Sequence, residues 1–241
     1  MEAMIFAAGR GSRLGPIGEQ VPKALLEVGG RTMLDHTLRA LVAAGASHVV
    51  VNVHHHADAI ERFLATHEFG VEVELSHEPD HPLETGGGLL HARALFHGGT
   101  IVLHNVDVIT DAPLREIVAA HEASGALATL CVQDRETARY LLFDDDGLLG
   151  REDRRHDLRF ECRPPRGAVR RFAFAGIHVC SSRLLERITE RGVFPIMDTY
   201  LRLAAEGERV APWPLAGGRW FEIGNAERLA AARAAMTGEA G

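Results

Sequence analysis

The chain has 241 residues, with 33 acidic and 26 basic side chains, a net charge of −7 with histidine neutral. Its 46% hydrophobic and 24% charged content is that of an ordinary globular protein with a sizeable core. The acidic balance argues against a duplex nucleic-acid binder, which relies on basic excess, and no apolar run approaches the roughly 18 residues of a membrane span.

Three cysteines, Cys131, Cys162 and Cys180, without C-x-x-C spacing, exclude a disulfide framework and a zinc ribbon. With no signal-peptide pattern at the start, a reducing, cytoplasmic setting is expected. Met4–Ala8 is a short apolar run stopped by Gly9, which predicts a buried first strand. A loop, GRGSRLGPIG, follows at residues 9–18 and carries Arg10 and Arg13. Leu34, Leu38, Leu41 and Val42 have helical spacing up to Gly45. Val49–Val53 predicts a second strand, Ile60 to Leu64 a helix, and the alternation at Val71, Val73 and Leu75 a half-exposed strand. Gly86–Gly88 opens a helical stretch to Leu95, and Ile101–Leu103 is a strand leading to Asn105 and Asp107. A helix near Leu114–Val118 and a strand at 127–132 complete an alternation that predicts an α/β fold with a largely parallel sheet. The second half is less regular. Strands are predicted at Tyr140–Phe143 and Phe172–Val179, and helices around Leu184–Ile188, Met197–Ala204 and Leu229–Met236. Between the two strands, the arginine-rich residues 151–171 read as an exposed loop or hairpin, or alternatively as an anion-facing flap or subunit contact.

The loop after the first strand carries the chemistry. Glycine lets backbone approach an anion, and turn N–H groups can cradle phosphate. It fits neither common phosphate motif. A dinucleotide fingerprint needs a third glycine where Leu14 stands, and His54–His56 occupy the place of its acid. A P-loop needs a lysine after Gly15. His54, His55 and His56 are not expected to bind a metal, because consecutive strand residues point to opposite faces.

Gly9-x-Gly11-Ser12-Arg13-Leu14 followed by Pro22-Lys23-x-Leu25-Leu26-x-Val28 is a specific pair of motifs. It resembles the sugar-1-phosphate nucleotidyltransferases, the nucleotide-sugar pyrophosphorylases, from residue 3 to about residue 235. Four further segments are similar to the family: Leu83-Glu84-Thr85-Gly86-Gly87-Gly88, His104-Asn105-Val106-Asp107, Phe174-Ala175-Gly176-Ile177, and Trp220-Phe221-Glu222-Ile223-Gly224-Asn225-Ala226-Glu227-Arg228-Leu229. The resemblance implies a single Rossmann-like α/β nucleotidyltransferase domain over 1–241, with a mixed, mostly parallel sheet flanked by helices. Residues 1–110 would be the nucleotide-binding half, and 111–241 the sugar-binding half with a C-terminal helix. The implied reaction joins a nucleoside triphosphate and a sugar 1-phosphate into a nucleotide sugar and pyrophosphate. The implied substrates are UTP and an N-acetylmuramate 1-phosphate-type sugar. GTP with a mannose or heptose 1-phosphate is the alternative, and a non-catalytic nucleotide-sugar sensor is the reading from another class.

The resemblance also assigns residues. Arg13 and Lys23 are the catalytic cations facing the phosphates. Ala8, Gly9, Gly11, Ser12, Glu78, Thr85, Gly86 and Asn105 would contact the nucleotide, and Gly87 and Gly176 the sugar. Asp107 and Glu222 would hold Mg²⁺, with Glu222 standing where the family carries aspartate and Val106 where it carries glycine. The small-molecule substrates would be the partners of a monomer or homodimer, without nucleic acid or membrane.

Overall fold

The computed structural model describes residues 1–9 and 11–237; Arg10 and the side chain of Ser12 lie outside the description. In chain order, β1 (Glu2–Phe6) is buried throughout. It starts two residues before the apolar run and ends before Ala7, whose N–H donates to Asn52 Oδ1 at 2.7 Å instead of continuing a ladder. α1 (Pro16–Gln20) opens on a proline, tolerated in a first turn that has no use for the N–H. β2 (Glu27–Val28) and β3 (Arg31–Thr32) pair antiparallel. α2 (Met33–Ala44) starts where Thr32 accepts the Asp35 N–H and stops at Gly45, which takes the left-handed conformation. β4 (His48–Val53), α3 (Ala57–Ala65) and β5 (Glu72–His77) follow the predicted order. So do α4 (Glu84–His91), β6 (Thr100–Asn105), α5 (Leu114–Ser124) and β8 (Ala128–Gln133), whereas β7 (Val108–Thr110) is a short strand that the sequence pattern does not predict.

The arginine-rich stretch forms a hairpin. β9 (Arg139–Asp144), β10 (Gly147–Asp153) and β11 (Leu158–Glu161) run antiparallel in turn. β12 (Arg170–Ser181), α6 (Arg183–Arg187), α7 (Ile196–Ala205), β13 (Val210–Pro214), β14 (Trp220–Glu222) and α8 (Ala226–Thr237) complete the chain.

The chain forms two compact units. The first takes Met1–Pro82, His104–Leu114 and the residues from Gly218 onward. Its sheet is parallel, with Ile5 beside Val51 and Val51 beside Leu75. Met4, Ile5, Leu34, Leu38 and Leu41 are fully buried in its core. The antiparallel pair β7–β14 sets Glu222 opposite Val108, and α8 packs on β2 and β14.

The second unit takes Leu83–Leu103 and Arg115–Gly217. Here β8 lies between antiparallel β12 and parallel β13, and β12 continues to β9. α7 packs on both α4 and β10. The sheet is thus mixed, as expected, with the antiparallel members gathered in this unit. β13 contains Pro212 and Pro214 and pairs on one side only, the edge position where missing N–H donors are tolerated. Among the described residues no helix is long and apolar enough to cross a membrane.

Candidate functional site

In the first unit, the loop leaving β1 is held by a short polar chain. Asn52, in the middle of buried β4, accepts the Ala7 N–H through Oδ1 and donates from Nδ2 to Glu78 Oε1 at 2.6 Å. The Glu78 N–H donates in turn to the Val53 carbonyl. Buried polar groups are costly unless paired, so this chain fixes the exit of the strand and the Glu78 carboxylate together. Ala8 is buried, Gly9 exposed, and Gly11 lies at φ +63°, where its carbonyl accepts the Leu14 N–H. Gly18 packs against that same carbonyl with no room for a Cβ. Arg13 sits exposed in the single turn Ser12–Leu14.

The loop's second cation reaches the strand end. Lys23 Nζ donates to Asp107 Oδ2 at 2.9 Å, with the two side chains 13% and 18% exposed. Asp107 lies in the turn between β6 and β7, at the carboxyl end of a strand where α/β proteins bind ligands. Its carbonyl accepts the Ile223 N–H at 2.8 Å, which ties the backbone beside Glu222 to Asp107. The Glu222 carboxylate pairs with Arg228 on α8. Asn105 ends β6, and its Oδ1 is buried without a hydrogen-bond partner among the described residues. Beside it, burial pushes the His104 imidazole down to about 4, so the ring is neutral; its Nδ1 contacts the Asn105 carbonyl at 2.9 Å.

The remaining predicted residues belong to the second unit. Thr85 Oγ1 accepts the Ile196 N–H at 3.0 Å, and the Gly86 and Gly87 amides both donate to the Phe194 carbonyl. A Cβ on Gly86 would strike the Phe194 ring, and one on Gly87 the Gly192 carbonyl. Gly86 and Gly87 are therefore small because α4 packs closely there, and their amides are already engaged within the unit. Gly176 lies at φ +83° where the β12–β8 register shifts between Phe174 and His178. A bulge re-aims neighbouring side chains, and only glycine adopts that backbone without strain.

The nucleotidyl transferase family model matches residues 2–239. The chain belongs to this family. The N-acetylmuramate alpha-1-phosphate uridylyltransferase of Caulobacter vibrioides is 32% identical over 97% of this chain and 96% of its own length. The mannose-1-phosphate guanyltransferase of Gibberella zeae is 31% identical over 82% of this chain, which spans 56% of that protein. Among solved structures, a Bacillus anthracis protein put forward as a glucose-1-phosphate thymidylyltransferase superposes with a TM-score of 0.81 at 21% identity, covering 98% of this chain and 95% of that one. Family and fold are those of the sugar-1-phosphate nucleotidyltransferases, Rossmann-like α/β proteins with a mixed, mostly parallel central sheet flanked by helices.

In this nucleotidyltransferase, Asp107 and Glu222 offer carboxylate oxygens, the donor type that a hard cation such as magnesium prefers, and here they pair with Lys23 and Arg228. The backbone link between Ile223 and Asp107, which ties the strand of Glu222 to Asp107, fits such a group. One residue that shapes this site lies outside the motifs: Asn52, which orients Glu78. The signal for Asn52 was available, since an amide inside the apolar run VVVNV must find partners. Arg228 stands in the same motif segment as Glu222, and the structure adds that the two pair.

Proposed function

We propose that this nucleotidyltransferase transfers a uridylyl group from UTP to N-acetylmuramate 1-phosphate or a close N-acetylated hexosamine 1-phosphate. The observation that carries the substrate pair is length. Similarity to the uridylyltransferase runs over 96% of that protein, and to the guanyltransferase over 56%.

An oxygen of the sugar phosphate attacks the α-phosphorus in line. The bond from that phosphorus to the bridging oxygen breaks, and pyrophosphate leaves with the electron pair. The attacking oxygen is already ionised, so no general base is needed, and catalysis is positioning and charge compensation. In this reading Arg13 compensates the departing phosphates, and Lys23 the α-phosphate or the incoming sugar phosphate. The backbone of Ala8, Gly9, Gly11 and Ser12 follows the triphosphate. Glu78, held by Asn52, accepts the N3–H of uracil, and Asn105 Oδ1 accepts a ribose hydroxyl. Thr85 and Gly86 shape the nucleotide side of the α4 loop, and Gly87 and Gly176 the sugar side. Asp107 and Glu222 would hold magnesium, which when bound would draw charge from the reacting phosphates.

The test is pyrophosphate release with Mg²⁺ over five nucleoside triphosphates against a panel of sugar 1-phosphates. UTP with N-acetylmuramate 1-phosphate is expected to lead, and Asp107→Ala to lower the rate by about 10²–10³. A preference for GTP with mannose 1-phosphate would replace the substrate pair. Nucleotide binding without pyrophosphate release from any pair would overturn the catalytic reading.

A further inference from the structure

We infer that Arg151, on the hairpin of β10 and β11, reads an acidic substituent of the sugar. It makes this enzyme select a carboxylate-bearing N-acyl hexosamine 1-phosphate over its uncharged counterpart. The inference rests on the substrate pair proposed above and adds the residue that discriminates within it.

The second unit contains a cavity of about 740 Å³, a size that suits a substituted sugar. Two lining residues belong to motif segments: Glu84 is the first residue of α4, and Phe174 begins the segment of Gly176. Glu84 has φ +60°, a left-handed backbone uncommon for a residue with a Cβ. Much of the remaining wall is the arginine-rich hairpin, to which no motif assigns a role.

The strand register explains how that wall is built. Arg151 lies directly opposite Phe160, and Asp153 opposite Leu158. Directly opposed residues share one face of a sheet, so Arg151, Phe160 and Leu158 stand together. Leu158 is 63% exposed and Phe160 50%, large apolar groups open to solvent on an edge strand. With Phe174 and Met197 they give the cavity an apolar lining suited to the methyl groups of acyl and ether substituents.

Two of the lining arginines, Arg139 and Arg151, are loosely held, and Arg151 is the one that stands opposite Phe160. Arg159 is committed twice to Glu161 Oε1, at 2.9 and 2.6 Å. Arg139 lies opposite Asp153 in the ladder and faces its carboxylate at 3.7 Å. Glu152 faces Arg171 at 3.8 Å. Arg151 is held through Nη1 alone, to Asp198 Oδ1 at 3.0 Å, with both side chains about half exposed. An ion pair so exposed is weak, and a guanidinium fork binds a carboxylate best through two parallel bonds. A substrate carboxylate seated over Phe160 can therefore take the fork from Asp198. N-acetylmuramate differs from N-acetylglucosamine by an ether-linked lactyl group, which adds one methyl and one carboxylate, the two features this wall matches.

The experiment compares kcat/KM of the full chain for N-acetylmuramate 1-phosphate and N-acetylglucosamine 1-phosphate, with UTP and Mg²⁺. Arg151→Gln is expected to lower the ratio about tenfold or more, chiefly through the KM of the acidic sugar. Arg151→Lys should retain part of it. Asp198→Asn, which frees the fork, should raise the ratio, a direction that a merely structural role for the pair does not predict. Melting curves check that each variant is folded. If the wild type prefers the acidic sugar but neither Arg151→Gln nor Asp198→Asn moves the ratio, the assignment of Arg151 fails and the substrate reading stands. If the wild type turns over other sugars and not the acidic one, both fail.

Discussion

Asp144→Asn should destabilise the protein by about 3 kcal/mol, although no assigned function touches this residue. The Asp144 side chain is fully buried. Arg163 donates to both of its oxygens, at 2.6 and 2.7 Å, and the N–H groups of Arg166 and Asp146 add bonds at 2.7 and 3.0 Å. The Arg163 guanidinium, first among these, holds the carboxyl at about 2 instead of 3.8. That depression is worth about 2 kcal/mol by linkage. Asparagine also leaves Arg163, only 14% exposed, without its countercharge. Breaking a buried pair this way costs about 3–5 kcal/mol; the lower end applies because Arg163 lines an open cavity. For a chain of this size the melting temperature should fall by about 6–12 °C. Because the folded pKa is the lower one, the stabilisation is complete above about pH 4 and is lost as pH falls through about 2. Urea unfolding of wild type and variant should therefore show a gap at pH 7 that narrows toward pH 2. A gap under about 1 kcal/mol at pH 7, or one indifferent to pH, would refute the reasoning.

Lys23→Ala removes the cation beside Asp107 and should cut pyrophosphate release by about 10²–10³; a loss below tenfold removes Lys23 from the reaction. Gly86→Ala forces a methyl into the Phe194 ring and its carbonyl and should cost about 1–3 kcal/mol of stability, read from a melting curve. Burial pushes the Cys131 and Cys180 thiols up to about 12, whereas Cys162 is half-buried. A thiol reagent at pH 8 should therefore modify at most Cys162 in the folded protein and all three cysteines in urea.

The alternation of apolar runs and helical spacing located β1, β4, β6 and β8 and the helices between them, because each buries one continuous face. The motif residues around Lys23 and Asp107 were legible for a different reason: their order along the chain is specific, and the structure joins them. What periodicity missed has local causes. β10 begins in the buried Gly147–Gly150, but its outer half is charged and reads as loop. β13 hides behind Pro212 and Pro214, which mark an interior strand as improbable but are harmless on an edge. The glycines at 86 and 87 were legible as a motif, but the contact of their amides with Phe194 is set by packing across sequence that no local pattern encodes.

The pairing of β7 with β14 also bears on how the molecule is made. The Arg219 N–H reaches Asp111 across 108 residues of chain, and Glu222 arrives with the same short strand. At roughly 5–20 residues per second, a ribosome delivers Asp107 on the order of ten seconds before Glu222. During that interval the nascent polypeptide can already bring Lys23 to Asp107, but it lacks the second carboxylate. A messenger truncated anywhere before β14 therefore yields a product without the acid pair, however well its earlier strands have assembled.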